Sequence, residues 1–225
     1  MTRVGVAVPA AGSGRRMGGV RKPFLELAGE PVLVHSLRPF LREPRVVAVV
    51  VALGAEDAAH PPAWLTELDD RVAVVSGGAS RGDSVRMAIA ALPDDVDVIA
   101  VHDAARPLVT DSVVSACIDE AASGRGAVAG SPAIDTMKRV DRDGVIVATP
   151  DRAELWHAHT PQVFPADLLR AAYTAYDGAA TDDAALVENA GGRVRMIDDG
   201  GWNLKVTRPG DVAVAEAIVR ERAGA

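Results

Sequence analysis

Short apolar runs alternate with helical patterns through the first part of the chain, and this alternation limits the fold more than any other feature. Runs with strand character lie at residues 4–8, 46–53, 72–75, 96–101 and 127–129. Helical patterns lie near residues 31–41, 64–68, 84–92 and 112–122. Unbroken apolar runs suit strands buried on both faces, and strands that take turns with helices build right-handed βαβ units. The expectation is an α/β fold with a mostly parallel central sheet covered by helices. Ligands on such sheets bind beyond the carboxyl ends of the strands. A chain of 225 residues encloses one full core, so a single domain over 1–225 is expected.

The first strand runs into PAAGSGRRMGGVRKP. Gly12, Gly14, Gly18 and Gly19 let backbone N–H groups crowd around a ligand, and Arg15, Arg16, Arg21 and Lys22 add fixed positive charge. That combination suits a highly anionic ligand such as a nucleoside triphosphate. The spacing departs from a dinucleotide fingerprint, because Met17 stands where G-x-G-x-x-G needs its third glycine and Gly18 comes one residue late. A Walker loop needs G-K-[ST], a tripeptide that the sequence lacks. The plainer alternative is a glycine turn with solvated arginines.

Each later motif also follows a strand. The turn SGGASRGDS at residues 76–84 could read a base edge through its main chain; equally, it is a plain βα loop with a helix cap, Ser84 lying near the helix start. In VHDAARP, Asp103 stands at a strand's carboxyl end, suited to Mg²⁺, which takes carboxylate, water and phosphate oxygens. Arg106 could grip a substrate or simply pair with Asp103. His102 receives no chemical role.

From residue 135 the alternation breaks. Residues 136–147 read as a hairpin turning at Asp143-Gly144, part of a β-arm expected at about 136–163. An arm with exposed edges calls for cover, and a second copy of the same arm would supply it with two-fold symmetry. His157 and His159 share a strand face, but no third ligand is near, which disfavours zinc. Thr181-Asp182-Asp183 opens another helix; Thr207 and Pro209 mark the start of the last one, running to about Arg222. Between them Lys205 lies in a short extended segment.

Composition removes several classes. A net charge of −7 argues against a general nucleic-acid binder, and an aromatic content of 4% leaves no stacking platform for single strands. The single cysteine, Cys117, cannot form an internal disulfide and suits a reducing cytoplasm. No stretch approaches the roughly 20 apolar residues of a membrane span. The arginine-rich loop argues against reading the N-terminal run as a signal peptide.

Taken together, the runs PAAGSGRRMG, RKPFLEL, VSGGASRGDSV, VHDAARP, DTMKR, WHAHTPQVF, TDDAALVE and NLKVTRP resemble the 2-C-methyl-D-erythritol 4-phosphate cytidylyltransferase family, in order and spacing over nearly the whole chain. The resemblance implies a single Rossmann-like nucleotidyltransferase domain, a homodimer joined through the β-arm, and transfer of CMP from CTP to 2-C-methyl-D-erythritol 4-phosphate with Mg²⁺. It implies catalytic roles for Arg16, Lys22 and Lys205 around the α-phosphorus. Asp103 would serve the metal or the erythritol hydroxyls, and Arg106 would orient the sugar alcohol. Thr136 and Arg152 would come from the second subunit, with Thr160 and Thr181 also on the substrate. Ala10, Gly78, Ala79 and Ser84 would read cytosine, Gly12 and Gly14 would line the phosphates, and Ala11 would also bind the nucleotide.

The implied nucleophile is a phosphate oxygen, already ionised at neutral pH, so no catalytic His or Cys is required. Two departures from the family pattern stand out: Ala79 replaces an acidic residue of some relatives, and Pro23 stands where glutamine is common. The nearest rival is a ribitol-5-phosphate cytidylyltransferase. A non-catalytic CTP-sensing subunit is the rival from another class. The expected absence of the extra synthase domain found in fused relatives follows from the short tail.

Overall fold

Alternate residues of the first strand bury on opposite faces of one sheet. Val4, Val6 and Val8 pack into one apolar cluster, while Ala7 belongs to a second cluster across the sheet. Full burial of a valine side chain contributes about 2 kcal/mol, so this short run is a strong organiser. The computed structural model describes residues 1–12, 21–178, 180 and 182–224, with Lys22 and residues 223 and 224 described by backbone alone.

The elements are β1 (Val4–Pro9), β2 (Glu26–Leu27), β3 (Glu30–Pro31), α1 (Val32–Arg42), β4 (Val46–Leu53), α2 (Ala55–Ala59), α3 (Ala63–Thr66), β5 (Val72–Ser76) and α4 (Arg81–Ala90). Then follow β6 (Val98–Val101), α5 (Asp111–Ala122), β7 (Gly126–Pro132), β8 (Arg139–Val140), β9 (Ile146–Ala148), β10 (Trp156–Pro165), α6 (Ala166–Thr174), α7 (Asp183–Asn189), β11 (Val194–Asp198) and α8 (Pro209–Gly224). Short 3-10 turns occupy Lys22–Phe24 and Arg152–Glu154. The seven-stranded sheet has the order β11-β7-β10-β6-β1-β4-β5. Only β10 runs against its neighbours β6 and β7; the other pairings are parallel.

Helices cover both faces. One cluster gathers Leu33, Leu37 and Phe40 of α1 with Val113, Val114, Cys117 and Ile118 of α5. The other gathers Val85, Ala88 and Ile89 of α4, Leu169, Ala172 and Tyr173 of α6, and Val187 of α7. The expected α/β architecture with a mostly parallel sheet is therefore present. Cys117 is buried, and burial pushes its thiol up to about 12.

The arm is shorter than expected. Asp141 accepts the amides of Asp143 and Val145 at 3.0 and 2.9 Å, and Gly144 takes a φ of +83° to close the hairpin β8–β9. From Trp156, however, the chain re-enters the main sheet, so residues 156–163 are not excursion. Thr160, Gln162, Val163 and Phe164 are buried, which the alternation-based reading missed because this strand is antiparallel and lacks a preceding helix. Among the described residues no helix is long and apolar enough to cross a membrane.

Candidate active site

The winding of the sheet reverses at β1. The chain goes from β1 to β4 and β5 on one side, then returns to place β6 on the other. A crevice opens beyond the carboxyl ends of strands at such a point. Here it is a cavity of about 340 Å³, a size suited to a small molecule. Its lining includes Ala10, Ala11 and Gly12 after β1, Gly78, Ala79 and Ser80 after β5, and the side chains of Arg81, Ser84, Asp103 and Lys205.

The glycines before α4 bring two loops together. A Cβ at Gly77 would lie 2.5 Å from the Cβ of Ala11, and one at Gly78 would press still closer on that of Asp83. No side chain tolerates such distances, so the turn can press on the first loop only with glycine there. Ser80 caps α4: its Oγ accepts the Asp83 amide at 3.0 Å, and Asp83 accepts the Ser80 amide at 3.2 Å. Ser84 is buried one turn on. Its Oγ accepts the Gly78 N–H at 3.1 Å and donates to the Ser80 carbonyl at 2.9 Å.

Asp103 is the electrostatic centre. Its Oδ1 accepts from Arg81 Nε at 2.9 Å and its Oδ2 accepts from Lys205 Nζ at 2.6 Å. Burial by itself would raise the Asp103 pKa. The adjacent charges of Arg81 and Lys205, and their hydrogen bonds, outweigh that and hold the carboxyl well below the usual range. Arg106 Nε stands 3.9 Å from the same carboxylate. Arg106 is a looser partner than the sequence spacing suggests.

Arg81 has a second anchor. Its Nη2 donates to Asp183 Oδ2 at 2.9 Å, and Tyr173 donates its hydroxyl to the other oxygen at 2.5 Å. The Asp183 side chain is 0% exposed. Burial opposes the charge on Arg81, but the two carboxylates prevail and raise its pKa. One guanidinium therefore ties a fully buried carboxylate to one that faces the cavity.

Beneath Asp103 runs a directed chain of hydrogen bonds. The Asp103 amide donates to Thr160 Oγ1 at 3.0 Å, and Thr160 lies 3.1 Å from His102 Nδ1. His102 Nε2 lies 3.1 Å from the Arg106 carbonyl, which can only accept. Nε2 therefore carries the proton and Nδ1 accepts from Thr160. Burial pushes the His102 pKa down to about 4, so the ring is neutral at physiological pH. Arg106 donates from Nη1 to the Asn203 carbonyl at 2.7 Å, while its buried Nε has no hydrogen-bond partner among the described residues. Burial lowers the Arg106 pKa.

The family model for 2-C-methyl-D-erythritol 4-phosphate cytidylyltransferase (IspD) matches residues 4–221. The cytidylyltransferase of that name from Symbiobacterium thermophilum is 46% identical over 224 residues, covering 98% of this chain and 94% of the relative. Its counterpart from Acidobacterium capsulatum is 40% identical over 235 residues, covering 98% of each. The crystal structure of the enzyme from Thermus thermophilus superposes with a TM-score of 0.81 at 30% identity, covering 98% of this chain and 100% of that one. The chain belongs to the 2-C-methyl-D-erythritol 4-phosphate cytidylyltransferase family. It is thereby a nucleotidyltransferase.

The structure brings some of the expected residues of a cytidylyltransferase together and leaves others apart. Ala10, Ala11, Gly12, Gly78, Ala79, Ser84, Asp103 and Lys205 share the cavity. Arg106 and Thr160 are buried behind Asp103. Thr136 and Arg152 are exposed on the arm and are not among the lining residues; Arg152 Nη1 donates to the Ile134 carbonyl at 2.5 Å. Gly14, Arg16 and Thr181 lie outside the described residues, as does the side chain of Lys22. Arg21, counted with the cationic loop by sequence, instead pairs with Glu56 and Asp57 of α2. Arg81 and Asp183 received no role from sequence. The signal was present, since Arg81 lies inside SGGASRGDS and Asp183 inside TDDAAL, but their pairing spans 102 residues.

Proposed function

We propose that this chain transfers CMP from CTP to 2-C-methyl-D-erythritol 4-phosphate, releasing pyrophosphate. The observation that carries the reading is Lys205. It comes from the far end of the chain, yet its ammonium meets Asp103 in the cavity formed by the two backbone loops. Family membership gives that convergence its chemistry. An ionised oxygen of the acceptor phosphate attacks the α-phosphorus, a new P–O bond forms, and the bond to pyrophosphate breaks. Arg16, Lys22 and Lys205 neutralise the charge that grows on the α-phosphoryl and the leaving group. Gly12 and Gly14 line the triphosphate, Ala11 also binds the nucleotide, and Ala10, Gly78, Ala79 and Ser84 hold the base.

Magnesium suits Asp103. The carboxylate lines the cavity, is ionised, and accepts one hydrogen bond on each oxygen, leaving lone pairs for a metal. It is the only carboxylate among the described lining residues, so triphosphate oxygens and water would supply the other ligands, as is usual for this ion. When bound, the ion adds positive charge where the triphosphate is most anionic. Thr181 orients the polyol directly, while Arg106 and Thr160, buried behind Asp103, do so only by holding the Asp103 segment and the segment of Asn203 and Lys205 in place. A second copy supplies Thr136 and Arg152, joined through the arm, whose Ile134, Val140, Val145, Ile146 and Val147 are exposed apolar side chains in need of cover. A reducing cytoplasm suits the single buried thiol.

Pyrophosphate release, measured with four nucleoside triphosphates against methylerythritol and ribitol phosphates, tests the reading. Turnover with CTP and methylerythritol phosphate is expected to exceed every other pairing. Preference for ribitol phosphate would move the assignment to the rival polyol, and CTP binding without turnover would leave a sensor.

A further inference from the structure

We infer that His159 is a positioning residue, which acts by clasping the strap at residues 199–206 that delivers Lys205. The inference rests on the role just proposed for Lys205 and Arg106. The strap leaves the end of β11 and crosses toward the cavity. It is tied at its start, where the Asp199 amide donates to the Gly130 carbonyl of β7 at 2.9 Å. It is tied in its middle, where Asn203 Nδ2 donates to the Thr160 carbonyl at 2.7 Å and the Asn203 carbonyl accepts from Arg106. It is tied at its end, where the Val206 amide donates to the Ala105 carbonyl at 2.8 Å.

One side-chain link fastens the start of the strap to β10. His159 Nδ1 lies 2.7 Å from Asp199 Oδ2, and the Asp199 side chain is 1% exposed. The Asp199 carboxylate is held below its usual pKa against its burial, chiefly by the His159 hydrogen bond, so it is ionised and can only accept. Nδ1–H therefore donates. The other Asp199 oxygen accepts the Gly201 amide at 3.0 Å, which fixes the bend made by Gly200 and Gly201, both at positive φ. Removing His159 leaves a buried carboxylate short of a donor at the point where the bend begins, and the least costly relief is for the strap to lift toward water. Lys205 and the Asn203 carbonyl that orients Arg106 would move with it. A displacement of about 1 Å at a charge-stabilising group can lower turnover by roughly a hundredfold.

His159→Leu removes the donor. His159→Asn places an amide N–H close to the position of Nδ1. In His159→Leu, amide hydrogen exchange across residues 199–206, read by mass spectrometry on the intact protein, should quicken, and kcat for CTP and methylerythritol phosphate should fall about ten- to a hundredfold with little change in either KM. His159→Asn should restore both. Asp199→Ala, which keeps the backbone tie to Gly130 but removes both the clasp and the acceptor of the Gly201 amide, should also quicken exchange in the strap and lower kcat should His159→Leu fold poorly. Unaltered exchange in the strap, or a raised KM for one substrate with kcat intact, would overturn the inference, the latter because it marks direct substrate contact. Failure of His159→Asn to restore either readout would overturn it too. If the wild type shows no turnover, the proposed function fails, and the exchange comparison alone then decides whether the clasp holds the strap.

Discussion

Arg81 joins a carboxylate that meets the substrate cavity to one that meets no solvent at all, whereas Lys205 touches only the first. The two cations should therefore fail differently. Arg81→Ala strips the counter-charge from buried Asp183, and breaking a buried pair costs about 3 kcal/mol. For a chain of this size that corresponds to a fall in Tm of roughly 6–12 °C, readable by calorimetry. Lys205→Ala removes a side chain 40% exposed and leaves Asp103 still paired with Arg81, so Tm should hardly move. Its kcat should drop roughly 10²–10³-fold, as for loss of one preorganised charge-stabilising donor, and Lys22→Ala and Arg16→Ala should behave likewise in pyrophosphate-release assays. Asp103 was legible in the sequence from its place at a strand end, whereas Lys205 was legible only through the family run NLKVTRP. Arg81, Asp183, His159 and Asp199 were not, since their meaning lies in partners that only the folded chain brings near.

Between β6 and β10 the polar seam is as specific as the apolar packing around it. His102 on the β6 side is neutral and accepts from Thr160 on β10, an arrangement that protonation destroys. The sign follows from the folded pKa of about 4, below the ordinary value of about 6.5. Between those values the unfolded chain binds the proton and the folded chain does not. Stability is thus complete above pH 6.5 and declines as pH falls toward 4, by up to about 3 kcal/mol. Asp103 adds loss in the same direction at lower pH, because its folded pKa is depressed and its contribution vanishes as the carboxylate protonates. Thermal melts from about pH 7 to about pH 4 should show this slope, and His102→Gln should melt lower at neutral pH but with a flatter acid limb; equal slopes would remove His102 as the cause. Strands β1, β4, β5, β6 and β7 could be read ahead of the structure from their apolar runs, whereas the parallel edge strand β11 was missed because Arg195 and Asp198 break its run. β10 could not, because half of it is exposed, half is buried, and its direction is set by the strands it slips between.

At the scale of the whole molecule, one copy holds Arg152 on an arm outside its own cavity. If that arginine serves a second copy, mixing two nearly inactive variants, Arg152→Ala and Lys22→Ala, should restore part of the activity once subunits exchange. Each mixed dimer would contain one cavity with both cations intact. Mixtures no more active than their parents, with exchange proven by mass spectrometry, would count against a shared site. The arm's existence was legible from Asp143-Gly144 and its flanking residues, but its end was not, since the register with β7 breaks between Ala158 and Gln162. The order of the cavity's parts along the chain carries a further consequence. Its amide-bearing loops are synthesised early, and the lysine that answers Asp103 is among the late arrivals on the ribosome. A chain clipped or abandoned before the strap lacks that ammonium even where the sheet's centre has formed, so incomplete products should be catalytically silent and should leave CTP unconsumed.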